Sequence, residues 1–310
     1  MKKLITLSIA ALCFSFFITS AQNVPAIDWQ NTIGGNASDI LVSSVQTNDG
    51  GYLLGGNSES GISGDKTEEG KGDSDYWIVK LDAEGNLEWQ NTIGGSNYDF
   101  LYSIIKTADG GYLLGGISES GISGDKTEVN QGAADYWVVK LDDEGSIEWQ
   151  NTIGGNGYDY LYDIIQTTEG SYLVAGHSFS GISGDKTEAN QGSSDYWILM
   201  LDASGNIEWQ NSIGGSSDEY LYSVIQTTDG GYLLGGDSYS GLSGDKNEAS
   251  KGGLDYWVVK LDGTGNIEWQ NTIGGSSNDE LKSVIQTNDG GYFLGGFSGS
   301  GISGDKTEAL

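Results

Sequence analysis

Residues 101–153 read LYSIIKTADGGYLLGGISESGISGDKTEVNQGAADYWVVKLDDEGSIEWQNTI, and the spacing of apolar runs and turn residues in this stretch decides the fold. Four short runs rich in Val, Ile, Leu, Tyr and Trp are bounded by Gly, Asn, Asp and Ser, the signature of strands. They are strand A, Leu101–Thr107; strand B, Tyr112–Gly116; strand C, Tyr136–Leu141; and strand D, Ile147–Ile153. Asp109-Gly110-Gly111 joins A to B and Asp143-Glu144-Gly145-Ser146 joins C to D, so Gly or Asn is available for the positive φ of primed hairpin turns. Two consecutive hairpins make one antiparallel meander. A β-solenoid progresses by parallel pairing and would not reverse twice per unit.

The same unit recurs along the chain. WQNTIGG starts at Trp29, Trp89, Trp149 and Trp269, and WQNSIGG at Trp209, a fixed period of sixty residues. Units begin near residues 27, 87, 147, 207 and 267 and fill the region 22–310. Tandem four-stranded meanders predict an all-β fold, a β-propeller of five blades in which each blade packs its two faces on its neighbours. The Tyr and Trp of strand C and the Trp of strand D are expected between blades, where large rings fill the gap between twisted sheets. The fifth blade is expected to lack one strand, because no DYWVVKLD segment follows Glu308. Asp28–Ile33 is expected to close the ring by entering that blade as strand D beside A (Leu281–Thr287) and B (Tyr292–Gly296).

The pattern WQ-x-T-x-GG, QT-x-DGGYLLGG and DYWVVKLD resembles the tandem repeats of secreted Bacteroidota proteins, over residues 27–310. That resemblance implies a propeller, and with it lectin-like or endoglucanase-like labels and, in many members, a C-terminal sorting domain for secretion. The sequence reaches Leu310 inside a B-to-C loop, so secretion through a sorting domain of that kind is not expected.

Composition narrows the partners. The chain has 44 acidic residues against 14 basic ones, all of them Lys, for a formal net charge of −30. Nucleic acids and anionic membranes attract proteins through Lys and Arg, so neither is an expected partner. Residues 1–21 read as a secretory signal: Lys2 and Lys3, an apolar run from Leu4 to Ile18, then Thr19-Ser20-Ala21 with cleavage after Ala21. Cleavage predicts a secreted, periplasmic or cell-surface protein with no later membrane-spanning segment. The only cysteine, Cys13, leaves with the signal, so no disulfide or thiol chemistry is expected.

Catalytic signatures are sparse. The only histidine, His177, has Asn57, Ile117, Asp237 and Phe297 at its equivalent positions and reads as an exposed loop-edge residue. No G-x-S-x-G elbow is present, and the Gly-Gly pairs lack the helix start of a phosphate cradle. The loop Ser63-Gly64-Asp65-Lys66-Thr67-Glu68 and its copies at Asp125, Asp185, Asp245 and Asp305 offer the oxygen ligands that Ca²⁺ prefers. The competing reading caps each turn with the Asp and leaves the Lys and Glu solvated.

The units differ most at the start of strand A. Phe100 with Tyr102, Tyr160 with Tyr162 and Tyr220 with Tyr222 crowd three units, next to Asp99, Asp159 and Glu219. Sugar rings bind by stacking combined with carboxylate hydrogen bonds, so these nine residues form a candidate glycan platform. The opposing reading makes them sheet packing. Three function classes stay open: a binding module for extracellular glycans or surface proteins, a structural or adhesion repeat, and a glycan-active hydrolase or lyase using paired carboxylates.

Overall fold

The computed structural model describes residues 27–308; the segment 1–21, expected from the sequence to be a secretory signal, and Cys13 lie outside them. Among the described residues every regular element is a strand. The first sheet holds β1 (Asp39–Gln46), β2 (Tyr52–Ser58), β3 (Asp75–Leu81) and β4 (Leu87–Ile93) in that order. The second holds β5 (Asp99–Lys106), β6 (Tyr112–Ser118), β7 (Asp135–Leu141) and β8 (Ile147–Ile153). The third is β9 (Asp159–Gln166), β10 (Tyr172–Ser178), β11 (Asp195–Leu201) and β12 (Ile207–Ile213). The fourth is β13 (Glu219–Gln226), β14 (Tyr232–Ser238), β15 (Asp255–Leu261) and β16 (Ile267–Ile273). The fifth holds β17 (Asp279–Gln286) and β18 (Tyr292–Ser298). These are propeller blades in A-B-C-D meander order, and the last has two strands where three were expected.

The expected ring closure is not formed. Residues 27–38 carry no strand, and β17 and β18 pair only with each other. Asn31 donates from Nδ2 to the Gly85 carbonyl of the first blade, and Ile33 packs with Trp77, Val79 and Leu81 of the same blade. Asn91, Asn151 and Asn211 of strand D make the same bond to Gly145, Gly205 and Gly265 of the following blade. Asn31–Ile33 thus takes the place of a strand D ahead of the first blade. A strand needs a hydrogen-bonded neighbour, and no strand C lies beside it.

Turn geometry also differs from expectation. Each hairpin has one left-handed residue, such as Gly110 (φ 101°) and Gly145 (φ 87°), and among the described residues no non-glycine residue has positive φ. Gly110 N–H donates to Thr107 O at 3.0 Å and Thr107 N–H to Gly111 O at 2.9 Å. That is a turn closed by a left-handed glycine that follows the two central residues, whereas a primed turn places the positive φ on the central residues themselves.

Consecutive blades meet through a repeated knob and hole. On strand B the second residue of the central small pair is Gly116, Gly176 and Gly236, and the first is Gly55, Gly115, Ala175 and Gly235. A Cβ added at Gly115 would lie 2.7 Å from Ile164 Cγ2 and 2.8 Å from Leu161 Cδ2 of the next blade. Leu101 and Ile104 close in the same way on Gly55, and Leu281 and Val284 on Gly235. In the third blade Ala175 replaces the glycine and Val224 replaces the isoleucine packed near it, so an added methyl meets a removed one.

A tyrosine of strand C locks each complete junction. Tyr76, Tyr136 and Tyr196 donate their hydroxyls to the carbonyls of Trp137, Trp197 and Trp257 in the next blade, at 3.2, 3.0 and 3.0 Å. Each ring centroid lies 5.0 Å from the indole it serves. The hydroxyl is buried yet satisfied, as buried phenols require.

This packing makes a paired expectation. Gly115→Val should cost about 1–3 kcal/mol of stability through overpacking. The equivalent Gly295→Val should be neutral, because at Gly295 only Ser283 O, at 4.0 Å, lies near an added Cβ. Chemical denaturation of both variants checks this, and equal losses at the two sites would contradict it.

Candidate functional site

Strand A carries a β-bulge in every blade. Leu101 pairs with Gly116 and Ser103 with Gly115, which leaves Tyr102 without a cross-strand partner. The same irregularity frees Tyr162, Tyr222 and Lys282. Bulges re-aim side chains, and here they aim one residue per blade at the neighbouring strand A. Tyr102 and Tyr162 have centroids 4.8 Å apart, and Tyr162 and Tyr222 meet edge to face at 5.1 Å. Lys282 Nζ ends the ladder, 3.7 Å from the centroid of Tyr222.

A second row of rings lies where the D-to-A loops run into strand A. Tyr98 stacks on Phe100 at 5.5 Å, and Tyr158 on Tyr160 at 6.0 Å and 8°. Phe179 stands edge-on to Tyr160, and Tyr239 to Tyr220. Tyr98, Tyr158, Phe179 and Tyr239 are between 38% and 46% exposed, while Phe100, Tyr160 and Tyr220 are half-buried. The core side of strand A is occupied instead by Leu101, Leu161 and Leu221, each at most 1% exposed. The rings therefore stand on the opposite side of the strand from the packing residues. Tyr98 and Tyr158 belong to the aromatic crowding already legible in the sequence before strand A; Phe179 and Tyr239 extend it, and their signal was the aromatic that follows strand B in the third and fourth units.

The acids of the sequence-derived platform are elsewhere. Asp99, Asp159 and Glu219 are each 0% exposed. Asp99 accepts from Gly95 N at 2.6 Å and Ser120 Oγ at 3.0 Å; Asp159 accepts from Gly155 N at 2.7 Å and Ser180 Oγ at 2.9 Å. Glu219 accepts from Gly215 N and Ser238 Oγ, both at 2.7 Å. Asp39 and Asp279, in blades without the ring cluster, make the same bonds to Gly35, Gly275, Ser60 and Ser300. These carboxylates tie the turn after strand D to the end of strand B. The carboxylate that meets a ring is Asp218, which accepts from the Tyr220 hydroxyl at 3.3 Å.

His177 is 4% exposed, which corrects its reading as a loop-edge residue. It lies in β10 with its ring 4.9–5.9 Å from those of Tyr160, Tyr162, Phe179 and Tyr220. Burial pushes its pKa down to about 3, so the ring is neutral at physiological pH. It supports the aromatic rows from beneath and does not face solvent as a general base.

The five loop aspartates are spread one per blade. Asp125 and Asp305 accept from Lys71 and Lys251 and from Gly94 N and Gly274 N, while Asp185 and Asp245 accept from Gln131 and Gln191 and from Gly154 N and Gly214 N. Asp65 accepts from Gly34 N at 3.1 Å. Among the described residues no group of three His, Cys, Asp or Glu is placed to hold a metal ion. The neighbouring lysines are buried rather than solvated: Lys66, Lys126, Lys186 and Lys246 lie 5.1–5.6 Å from Trp77, Trp137, Trp197 and Trp257. Glu68 and Glu128 accept from Thr92 N and Thr152 N at 2.6 Å, so they too serve the loop.

No protein-family model matches the chain. Among curated proteins it is similar to the regulatory protein FlaEY of Caulobacter vibrioides, with 24% identity over 216 residues, 66% of this chain and 22% of that protein. The chain thus spans about a fifth of that relative's length. Among solved structures it is similar to a protein of unknown function from Bacteroides caccae, with a TM-score of 0.42 and 13% identity over 78% of this chain and 70% of that one. It is also similar to an apocarotenoid oxygenase of Synechocystis, with a TM-score of 0.46 and 11% identity over 83% of this chain and 56% of that one.

The buried charges set a pH dependence. Burial pushes Asp99, Asp135, Asp163 and Asp195 up to about 6 and Asp237 up to about 7. It pushes Lys126, Lys186 and Lys246 down to about 8. Between the ordinary carboxylate value and pH 6–7 the folded state binds more protons than the unfolded one, so stability falls as pH rises. Between about pH 8 and the ordinary lysine value the unfolded state binds more protons, and stability recovers. Asp229, held down to about 2 by hydrogen bonds from Thr227 and Gly231, loses its contribution only below its ordinary value. His177, held neutral, acts in the opposite sense below its ordinary value but is one group against five acids, so thermal melting at fixed ionic strength should show a higher midpoint at pH 5 than at pH 7.5. A midpoint that rises across this interval would contradict the burial of these acids.

Proposed function

We propose that the chain is an exported binding module whose two aromatic rows hold neutral glycan chains. Export is read from residues 1–21. The observation that carries the binding reading is the partial exposure of the stacked pairs Tyr98–Phe100 and Tyr158–Tyr160, repeated in successive blades where the D-to-A loops enter strand A. A soluble protein gains nothing from leaving such rings half in water, whereas a sugar ring lays its C–H face on them and leaves its hydroxyls solvated. Rigid strands position the rings, and the rows run across three blades. Such a strip fits an extended polymer better than a small molecule in a closed pocket.

Charge selects among polymers. A protein at −30 repels uronate-rich or sulfated chains, and among the described residues Lys282 is the one cation stacked on the tyrosine ladder of Tyr102, Tyr162 and Tyr222. Neutral polysaccharide is the class this surface accommodates.

Replacing Tyr158 and Tyr160 together by Ala should weaken retention in neutral-polysaccharide affinity gels by roughly tenfold or more, the loss expected for two stacking contacts. The melting midpoint should move little, because neither ring belongs to the leucine core. Unchanged retention would contradict the site, and a collapsed midpoint would assign the rings to packing.

A further inference from the structure

The junction between blades is built four times within the chain, and the two ends of the array each present one half of it. Leu101, Leu161, Leu221 and Leu281, the knobs of the four internal junctions, are 0–1% exposed. The corresponding knob of the first blade, Leu41, is 62% exposed, with Ile40 beside it at 58%. At the other end the corresponding hole, Gly295, is open: Ser283 O at 4.0 Å is the nearest atom to an added Cβ. Beside it Ile285 and Phe293 are 53% and 64% exposed, although Leu53, Leu113, Leu173 and Leu233 at the position of Phe293 are all fully buried. A knob without a hole faces a hole without a knob.

We propose that Leu41 and Ile40 of one copy dock on Gly295, Ile285 and Phe293 of a second copy, so that chains associate head to tail. The occupant is argued from continuity: the end faces carry the residues that already join blade to blade, at the same places on strands A and B. β1 supplies one side and β17 with β18 the other, so the contact needs no strand that the fifth blade lacks. A junction of this kind is heterologous, because two different surfaces meet, and it extends to a closed ring or an open filament. The tyrosine lock is absent from it: Tyr76, Tyr136, Tyr196 and Tyr256 are already seated against Gly116, Gly176, Gly236 and Gly296. The association is therefore weaker than an internal junction. Two chains at −30 repel, so added salt should strengthen it, the reverse of an interface held by ion pairs.

Light scattering coupled to size exclusion tests the proposal on the processed chain. The weight-average mass should rise with protein concentration, and rise further between about 50 mM and about 500 mM salt as charge is screened. Leu41→Asp and Phe293→Asp should each return the mass to that of one chain without lowering the melting midpoint, since both side chains are exposed. Orientation is read separately: Leu41→Cys and Gly295→Cys chains should form an intermolecular disulfide when mixed, and little of one when each is oxidised alone. A single-chain mass at every concentration and salt level would overturn the proposal. So would oligomers that survive both aspartate substitutions, or equal disulfide formation by one variant alone.

Discussion

The close approach of strand A to the preceding strand B, possible only because that strand has glycine or alanine at its centre, is the constraint on which the rest of the molecule depends. It brings the A strands of successive blades within hydrogen-bond reach. Ile104 N–H then donates to Ser43 Oγ at 3.3 Å, Val224 N–H to Asp163 Oδ2 at 2.9 Å and Val284 N–H to Ser223 Oγ at 3.3 Å. These donors come from the bulged segment, where the ladder is locally disrupted, and the neighbouring blade compensates for the loss. A larger side chain on strand B would part the strands and separate the tyrosine ladder with them.

The same constraint explains where the units are free to differ. The leucine before the bulge stays leucine at Leu101, Leu161, Leu221 and Leu281, where the small residue of the preceding strand B leaves a hole that admits little else. The bulge residue itself pairs with nothing and changes from Val42 through Tyr102, Tyr162 and Tyr222 to Lys282. The acids at Asp39, Asp99, Asp159, Glu219 and Asp279 stay acidic because each ties one turn to one strand end. Binding chemistry is thus confined to the positions the fold leaves unassigned, which is where the aromatic rows lie.

Much of this was legible in the residues. The sixty-residue period, the four-strand order and the placement of Tyr136 and Trp137 between blades follow from periodicity and turn chemistry. Strand D at Ile147–Ile153 matches its expected bounds, whereas strand A begins two residues early because Asp99 pairs with Ser118. Three features were hidden because they depend on tertiary context. Variability at His177 suggested exposure, yet its ring is enclosed by aromatic neighbours from two blades. Lys126 looked like a solvated turn residue, but it is buried, with its amine 5.4 Å from the Trp137 ring centroid and donating to Thr152. Asn31–Ile33 carries a strand D sequence and forms no strand, since a strand is defined by the partner it pairs with.

An open array of blades has a stability profile that a closed ring does not. End blades lose one neighbour, so they open at lower free energy than blades held on both faces. Native-state hydrogen exchange resolved by residue measures this directly, under dilute low-salt conditions in which chains do not associate. The account predicts slowest exchange in β10 and β11, with protection falling toward β1 on one side and β17 and β18 on the other. Equal protection of all five blades would contradict it, because it would mean that the two ends are joined.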